Sequence, residues 1–511
     1  MQTLKRIYEA AFLLGYNDGE KPEYLRNTTD NIYYQALIKN AFTDNNVLDQ
    51  RGGHTPVGDH IEDKVILGQN RHEPYSGSKY ILRARNNSGD TNAIIEGWSG
   101  SGNWTALSGA TTQTKDTLHE FVMANQATYI FNGVDTVLKT TNGTSATAVA
   151  TIPKGQDAKW FHNYMFVFGV AGNLARLYFS AIGDPETYNV TTGWLDINPG
   201  DNEPIIALAV LKDELLIFKP SRIWSLTGFS TTDFTLDDVG QRVDSVGTIA
   251  RRSVISTGND VYYLSFSGSD PQIRSVKRTV QGQIVDGGVI STTINVTMRR
   301  LNRSQLSKAA AGYDGRRCWW CVAMDTATAN NEAIVYDTLT GGWTIHTKIG
   351  KMSVLHISNI TGRAELFGGT SQATSKSFIL NNGLNDDGET VDFEIRTPYY
   401  NPQPGYKGRY KYLYVTGNSD TNSILDVNYS VDGFDFNDLA TIDMTGNGAV
   451  FGVAVFGTSV FGETQLIKER LDFAGGPAYF MQYQFLHSEL DKKVTLREWE
   501  LFYYDRALRS T

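Results

Sequence analysis

Residues 208–228 read LAVLKDELLIFKPSRIWSLTG, in which a polar turn at Lys-Asp separates two short apolar strands. Strand-length apolar runs bounded by turn residues predict antiparallel hairpins. The same unit, a strand, a tight polar turn and a strand rich in Tyr, Phe or Trp, recurs along much of the chain. Further copies are HEFVMANQATYIFNG (119–133), FHNYMFVFGVAGNLARLYFS (161–180), SVISTGNDVYYLSFSG (253–268), AAGYDGRRCWWCVAMD (310–325) and HISNITGRAELFGGT (356–370).

The spacing of these units predicts the fold class. The aromatic or apolar anchors lie at 129, 178, 216, 262, 319 and 366, and an earlier unit at 78–108 adds a further copy. The intervals between the anchors are about 49, 38, 46, 57 and 47 residues, which is the range of propeller blades, where each four-stranded blade takes about forty to fifty residues. We expect an all-β chain with a multi-blade β-propeller of six to eight blades, seven being favoured. Several β-sandwiches in series are the alternative.

The composition and the hydrophobic patterning of the chain change near both ends. Residues 1–75 are polar and poorly patterned, which predicts an N-terminal arm or docking segment with little core of its own. The propeller is expected over 76–395. Three prolines within 398–404 indicate a boundary, and the alternating strands after it predict a β-sandwich-like platform domain over 396–511.

Composition and charge exclude several function classes. Apolar residues make up 41% of the 511 residues and charged residues 20%, as in folded globular proteins. A net charge of −9 argues against wrapping nucleic acid, which requires clustered Lys and Arg. The short basic pairs Arg251-Arg252 and Arg299-Arg300 are interpreted as solvated surface. The opening MQTLKRIYEAAFLLG lacks the pattern of a signal peptide, so we expect folding in a reducing cytoplasm.

No residue set in the sequence predicts catalysis. A sialidase-type Asp box, a Walker loop, GxSxG and HExxH are all absent from the sequence. We therefore expect no enzyme activity, no catalytic residue, no cofactor and no metal. His54 and His60 lie near Asp59 and Glu62, but they form no compact ligand set.

The single CxxC, Cys318 to Cys321, lies in a predicted strand, where positions three apart point to opposite faces. That geometry does not suit a disulfide, and a zinc site would require a second such pair or added histidines. We expect two buried, reduced thiols.

One region resembles a known family. LARLYFSAIGDPETYN (174–189) and GWLDINPGDNEPIIALAVLKDELLIFKPSRIWSLTG (193–228) are similar to the tail β-propeller proteins of tailed bacteriophages. The matching residues are Tyr178, Asp184, Pro185, Trp194, Pro199, Gly200, Asp201, Leu216, Phe218 and Trp224. NNVLDQRGGHTPVG (45–58) is similar to the entry segment of those proteins, and the repeated Val-Phe-Gly at 450–462 resembles a loop often seen between their sandwich strands.

The resemblance implies a structural virion protein, the tail nozzle or hub of a short-tailed phage. It implies a homo-hexameric ring with a central channel that retains and then passes the DNA genome, without sequence-specific binding. The expected partners are further copies of the chain, head-to-tail adaptor proteins and tail fibres or spikes. The expected location is the virion tail, after assembly in the host bacterial cytoplasm. An acidic channel wall would let DNA slide.

Two other functions stay open: a carbohydrate-degrading propeller and a carbohydrate-binding one, each acting on the host surface. The first requires a pocket with paired carboxylates. The second requires exposed Trp or Tyr at repeating blade positions.

The segment AVFGVAVFGTSVFGE (449–463) places Phe451, Phe456 and Phe461 five residues apart, which fits neither a strand nor a helix. A quadrilateral β-helix would have less than one full turn here, and a membrane-inserting loop would expose three phenylalanines to water. We favour a folded-back loop of the C-terminal sandwich, whose rings dock on the sandwich or on the next subunit. These three residues are the candidate interface anchors.

Overall fold

The computed structural model describes residues 4–12, 14–25, 34–61, 64–239, 247–266, 270–278, 284–401, 406–419, 422–444 and 466–506. Within these ranges the chain is almost entirely β-structure, with one short α-helix, α1 (Asn295–Arg299). Six 3₁₀ turns lie at Pro22–Tyr24, Asp44–Asn46, Pro199–Asp201, Arg251–Ser253, Thr292–Ile294 and Arg303–Lys308. No helix among the described residues is long and apolar enough to span a membrane.

Seven successive sheets form the blades of a propeller. The strands that precede them are β1 (Lys5–Glu9), β2 (Leu37–Lys39), β3 (Ala41–Phe42), β4 (Leu48–Gln50) and β5 (His54–Val57). Blade one has β6 (Ile66–His72), β7 (Tyr80–Asn86), β8 (Ala93–Trp98) and β9 (Thr105–Ala106), and blade two has β10 (Glu120–Ala124), β11 (Ala127–Phe131), β12 (Leu138–Thr140) and β13 (Thr147–Ala148). Blade three has β14 (Asp157–Phe161), β15 (Tyr164–Phe168), β16 (Arg176–Ala181), β17 (Asp184–Tyr188) and β18 (Trp194–Asp196), and blade four has β19 (Ala207–Leu211), β20 (Glu214–Phe218), β21 (Ile223–Thr227) and β22 (Thr235–Asp238).

The remaining blades follow the same antiparallel plan. Blade five has β23 (Ile255–Ser256), β24 (Asp260–Phe266), β25 (Pro271–Arg278) and β26 (Ile284–Val289). Blade six has β27 (Ala310–Tyr313), β28 (Arg317–Val322), β29 (Glu332–Asp337) and β30 (Trp343–Thr347). Blade seven has β31 (Met352–Ser358), β32 (Glu365–Thr370) and β33 (Ser377–Leu380), and β5 from the N-terminal segment completes it by pairing with β33.

The seven blades are arranged in a ring. The first strand of each blade lies beside the first strand of the next, and β31 lies beside β6, which returns the ring to its start. Six separate apolar clusters fill the spaces between neighbouring blades, and the seventh space, between blades five and six, belongs to the largest core cluster. This arrangement confirms the predicted multi-blade β-propeller.

Strand alternation explains why each blade serves two of these clusters. On β20, Ile217 packs towards blade three while Leu216 and Phe218 pack towards blade five. Successive side chains of a strand point to opposite faces, so a strand that is apolar throughout buries both faces between neighbouring blades. The run LLIF at 215–218 is therefore a blade strand covered on both sides, which is why its pattern does not alternate with polar residues.

The C-terminal unit is a two-sheet sandwich. Its strands are β34 (Phe393–Arg396), β35 (Lys407–Asn418), β36 (Ile424–Val431), β37 (Asn437–Asp443), β38 (Ile467–Asp472), β39 (Met481–His487) and β40 (Thr495–Arg506). One sheet has the order β3-β4-β40-β35-β38, with β1 also paired to β40. The other runs β2-β34-β39-β36-β37 and continues, through the parallel pairing of β2 with β30, into blade six.

The described strands of the N-terminal segment form no sheet of their own. Its strands complete both sandwich sheets and the last blade, and Phe12 stacks on Trp499 at 4.7 Å in the core of the sandwich. The first propeller strand begins at Ile66, upstream of the predicted start at residue 76, and β34 crosses the predicted boundary at 395. The anchor at 178 lies on the third strand of its blade, whereas the other anchors from 129 onward lie on second strands. In blade three both β15 and β16 are rich in aromatic residues, so the sequence pattern placed the anchor on the third strand and not on the second.

Candidate functional site

The 3₁₀ turn Arg251–Ser253, which we call the axial clasp, lies among the inner strands at the centre of the propeller. It directly precedes β23, the innermost strand of blade five. Arg252 reaches three other blades: its Nε donates to Glu120 Oε1 at 2.7 Å, its Nη2 to the Leu67 carbonyl at 2.8 Å and its Nη1 to the Ser353 carbonyl at 3.2 Å. These contacts connect blade five to blades two, one and seven.

The rest of the clasp reaches the remaining blades. Arg251 donates to the carbonyls of Ile206 and Gln156, at 3.2 and 3.4 Å, and to the Gln156 side chain. Trp320 of blade six donates its indole N–H to the Ser253 carbonyl at 3.0 Å. The clasp therefore bonds directly to all six other blades. Its guanidinium groups therefore link the blades at the centre of the propeller.

The prediction that Arg251-Arg252 is solvated surface is wrong. Both side chains are partly buried at the axis, because seven inner strands converge there and leave backbone carbonyls that need donors. The same prediction is confirmed for Arg299 and Arg300, whose side chains are 59% and 40% exposed. The signal that separates the two pairs is position: Arg251-Arg252 directly precedes an inner strand, whereas Arg299-Arg300 ends a surface helix.

Two carboxyl groups lie beside the clasp. Glu120 pairs with Arg252, and Asp157, the first residue of β14, accepts the N–H of Ala158 at 2.7 Å. Burial raises the pKa of Asp157 to about 7, the charge of Glu120 adds to the rise, and Arg251 opposes it. The axis thus holds one paired carboxylate and one carboxyl group that is partly protonated near neutral pH.

Three of the residues that carry the family resemblance make structural contacts in blades three and four. Asp201 accepts two hydrogen bonds, at 2.6 and 2.8 Å, from the fully buried ammonium of Lys219. Trp194 lies under the guanidinium of Arg176 at 3.6 Å. Asp184 forms a turn by accepting from Glu186 N–H and the Thr187 hydroxyl. A buried ammonium requires such a partner, so the Pro-Gly-Asp motif fixes the connection between these two blades.

The histidine pair considered for a metal is not brought together as a site. His54 instead belongs to a buried ion cluster. In this cluster the guanidinium of Arg51 donates bidentate hydrogen bonds to the carboxylate of Asp386, at 2.6 and 2.8 Å, and His54 Nδ1 lies 3.0 Å from Asp386 Oδ1. Glu62 lies outside the described residues. Among the residues that are described, no group of three or more His, Cys, Asp or Glu side chains is arranged to hold a metal.

Both cysteines lie on β28 and are free and fully buried. Cys318 packs in the core shared by blades five and six, and Cys321 packs between blades six and seven, which confirms the prediction of opposite faces. Burial raises the pKa of both thiols, that of Cys321 to about 12. Neither sulfur is therefore a thiolate at neutral pH.

The candidate anchors Phe451, Phe456 and Phe461 lie outside the described residues, so their docking stays a prediction. The chain that carries them joins β37 to β38. These are end strands of the two sandwich sheets, and they lie beside each other. The stretch DGFDFND (432–438) before it forms the hairpin turn between β36 and β37, with Asp432 and Gly433 at φ of 52° and 78°.

No protein-family model matches the chain, and no curated protein matches it in sequence. Solved structures that resemble it include YCF48 bound to D1 peptide (TM-score 0.39, 9% identity, covering 65% of this chain and 95% of that one). The N-terminal domain of Nup159 has a TM-score of 0.36 at 8% identity, covering 68% and 99%. An exo-β-1,3-galactanase from Phanerochaete chrysosporium has a TM-score of 0.25 at 10% identity, covering 88% and 100%. All three TM-scores are below 0.5.

Proposed function

We propose that this chain is a structural protein of a bacteriophage tail, the nozzle or hub, and not an enzyme. The observation that supports this most is the nine-stranded sheet that runs from blade six through β2 into the sandwich. Propeller and sandwich share one core cluster across that connection. A tail component that must transmit force without bending gains from such a continuous sheet.

The proposed assembly is a homo-hexameric ring. Because the axial clasp links the blades at the centre of the propeller, DNA would pass through a channel enclosed by several copies of the chain and not through one propeller. The net charge of −9 suits a channel wall that does not retain phosphates. The proposed neighbours are head-to-tail adaptor proteins and tail fibres or spikes, in a virion tail assembled in the bacterial cytoplasm.

The test is to purify the chain, measure its mass by mass photometry and image it by negative-stain electron microscopy. We expect particles of six copies that form a ring with a central hole. A chain that stays monomeric at every concentration tested, and that mass spectrometry does not find in purified virions, would rule the proposal out. The Phe451, Phe456 and Phe461 anchors are proposed to act in this assembly.

A second candidate, a propeller that degrades or binds surface carbohydrate, is favoured by one observation. Asp157, with a pKa of about 7, lies near the carboxylate of Glu120, and glycosidases use such a pair as acid and base or nucleophile. Against this, the carboxylate of Glu120 already forms an ion pair with the guanidinium of Arg252. Turnover of capsular or wall polysaccharide that is lost in Asp157→Asn and in Glu120→Gln would favour the enzyme, and saturable binding without turnover would favour the lectin.

A further inference from the structure

A cavity of about 520 Å³ opens at the axis, where the inner strands begin. Its walls come from all the blades except blade three. The apolar part of the wall consists of Val65, Ile66, Leu67, Leu118, Ile206 and Ile249. Arg251, Arg252, Lys308 and Asn330 provide polar groups. Size and lining match the small-molecule sites of proteins, which are mostly apolar with a few convergent polar groups.

The cavity has an excess of positive charge. Glu120 neutralises Arg252. Arg251 bonds only to Ile206 and Gln156, and Lys308 only to the Thr328 carbonyl at 2.9 Å, so neither forms an ion pair in the part of the chain that the structure describes. Arg251 uses three of its five N–H donors in these bonds. Among the described lining residues, two cations thus border an apolar wall without a direct ion pair, although the carboxyl group of Asp157 lies close enough to Arg251 for the two charges to interact.

Asn330 is an independent sign that a ligand belongs here. It lines the cavity and is only 1% exposed. Its amide nitrogen donates to the Lys308 and Met352 carbonyls, at 2.9 and 2.7 Å, but its Oδ1 accepts no hydrogen bond from any described residue. A buried acceptor without a donor is costly, so such groups usually bind water or a ligand.

We propose that this cavity binds a compact amphipathic anion, a medium-length apolar chain that ends in one carboxylate. The carboxylate would lie near Arg251 and Lys308, where a charge-assisted hydrogen bond to the spare guanidinium donors replaces its hydration. The apolar chain would cover Ile206, Ile249 and Leu118 and remove that surface from water. This site goes beyond the proposed tail function and does not depend on it.

The test is isothermal titration calorimetry of the purified full chain with sodium decanoate below its micelle concentration. We expect one saturable site per chain. Decan-1-ol, which keeps the apolar chain without the charge, should bind at least tenfold more weakly, and decylammonium should not bind. Equal affinity for decanoate and decanol would overturn the proposal, as would the absence of decanoate binding.

Leu118 allows a matched pair of variants at the mouth of the cavity, because its side chain is 49% exposed and its replacement leaves the core intact. Leu118→Glu and Leu118→Lys both remove apolar contact with the decanoate chain, but only the Glu variant also repels the anion, so Leu118→Glu should bind decanoate at least tenfold more weakly than Leu118→Lys. Lys308→Glu and Lys308→Arg form a second pair with the same expected contrast. Unchanged melting temperatures will show that all four fold, and equal binding by the Glu and Lys variants would place the anion elsewhere and overturn the site.

Discussion

The propeller and the sandwich are built from the same kind of strand, yet they are assembled from different parts of the chain. Each of blades one to six consists of strands that follow one another in sequence. The sandwich instead pairs β1 with β40, so that Ile7 lies opposite Leu501, and inserts β2 between β30 and β34. The propeller is therefore specified mostly by local hairpins, and the sandwich by contacts between the two ends of the chain.

The difference has a kinetic consequence. Closing a local hairpin costs little chain entropy, whereas joining residue 7 to residue 501 costs more, so we expect the pairing of β1 with β40 to form later. Blade seven belongs to both classes, because its outer strand β5 comes from the N-terminal segment. Residues 37–57 therefore connect the two regions: they add strands to the sandwich, to the sheet of blade six and to blade seven.

The sharpest way to break that connection is to replace Arg51, which lies between β4 and β5. Its guanidinium is fully buried and bonds to Asp386, Asn40 and the Thr347 carbonyl. Arg51→Met would leave the carboxylate of Asp386 buried with only His54 beside it, and losses of about 3–5 kcal/mol are usual for such a break. Chemical denaturation should show this loss in the free energy of unfolding.

Arg51→Met combined with Asp386→Leu is the control for that prediction. Removing both charges avoids the uncompensated carboxylate, so the double variant should be more stable than Arg51→Met alone. A double variant at least as unstable as the single one would mean that the ion pair itself is not what holds residues 37–57 in place.

Phenylalanine truncations compare the two regions directly. Phe12 in the sandwich and Phe166 in blade three are both fully buried. Phe→Ala at a buried site costs about 3–5 kcal/mol. Hydrogen exchange measured by mass spectrometry should localise the damage: Phe12→Ala should expose the sandwich strands and spare blades one to four, and Phe166→Ala should expose blades three and four. Identical exchange patterns would show one cooperative unit and remove the distinction.

The anchors Phe451, Phe456 and Phe461 test whether the sandwich also supports assembly. Replacing all three by Ser should leave the propeller folded and weaken the sandwich or the ring, because each docked ring is worth about 2–3 kcal/mol. Mass photometry should show fewer multi-copy particles, or calorimetry a lower melting temperature for the sandwich alone. A triple variant that assembles and melts like the parent would show that the loop is neither anchor nor core.

The sequence predicted what is local. Strand-turn-strand units revealed the blades, and the alternation around Cys318 and Cys321 correctly separated the two thiols. The sequence could not predict the pairing of β1 with β40 or the role of residues 37–57, because the residues of a short strand do not identify a pairing partner that is distant in sequence. The axial clasp was missed for the same reason: the carbonyls that Arg251 and Arg252 satisfy come from other blades.

The smallest expected effect concerns the pH dependence of the propeller. The pKa of Asp157 is about 7 in the folded chain and 3.8 as an ordinary value. Between those values the folded state binds more protons than the unfolded state, so this group's contribution to stability is full below pH 4 and is lost as the pH rises to about 7. Asp157→Asn should remove that part of the pH dependence.

We expect the melting temperature of Asp157→Asn to change less between pH 5 and 8 than that of the parent, because the substitution removes the group whose pKa burial raises. Asp184→Asn, in the same blade, is the matched control. Bonds to the Thr187 hydroxyl and the Glu186 N–H hold the pKa of Asp184 below its usual value, so its contribution is lost only in acid and the slope between pH 5 and 8 should stay as in the parent. If the pH dependence of stability in Asp157→Asn equals that of the parent, the carboxyl group is hydrated in the folded chain. Asp157 at the axis and Asp184 on the blade surface would then not differ electrostatically.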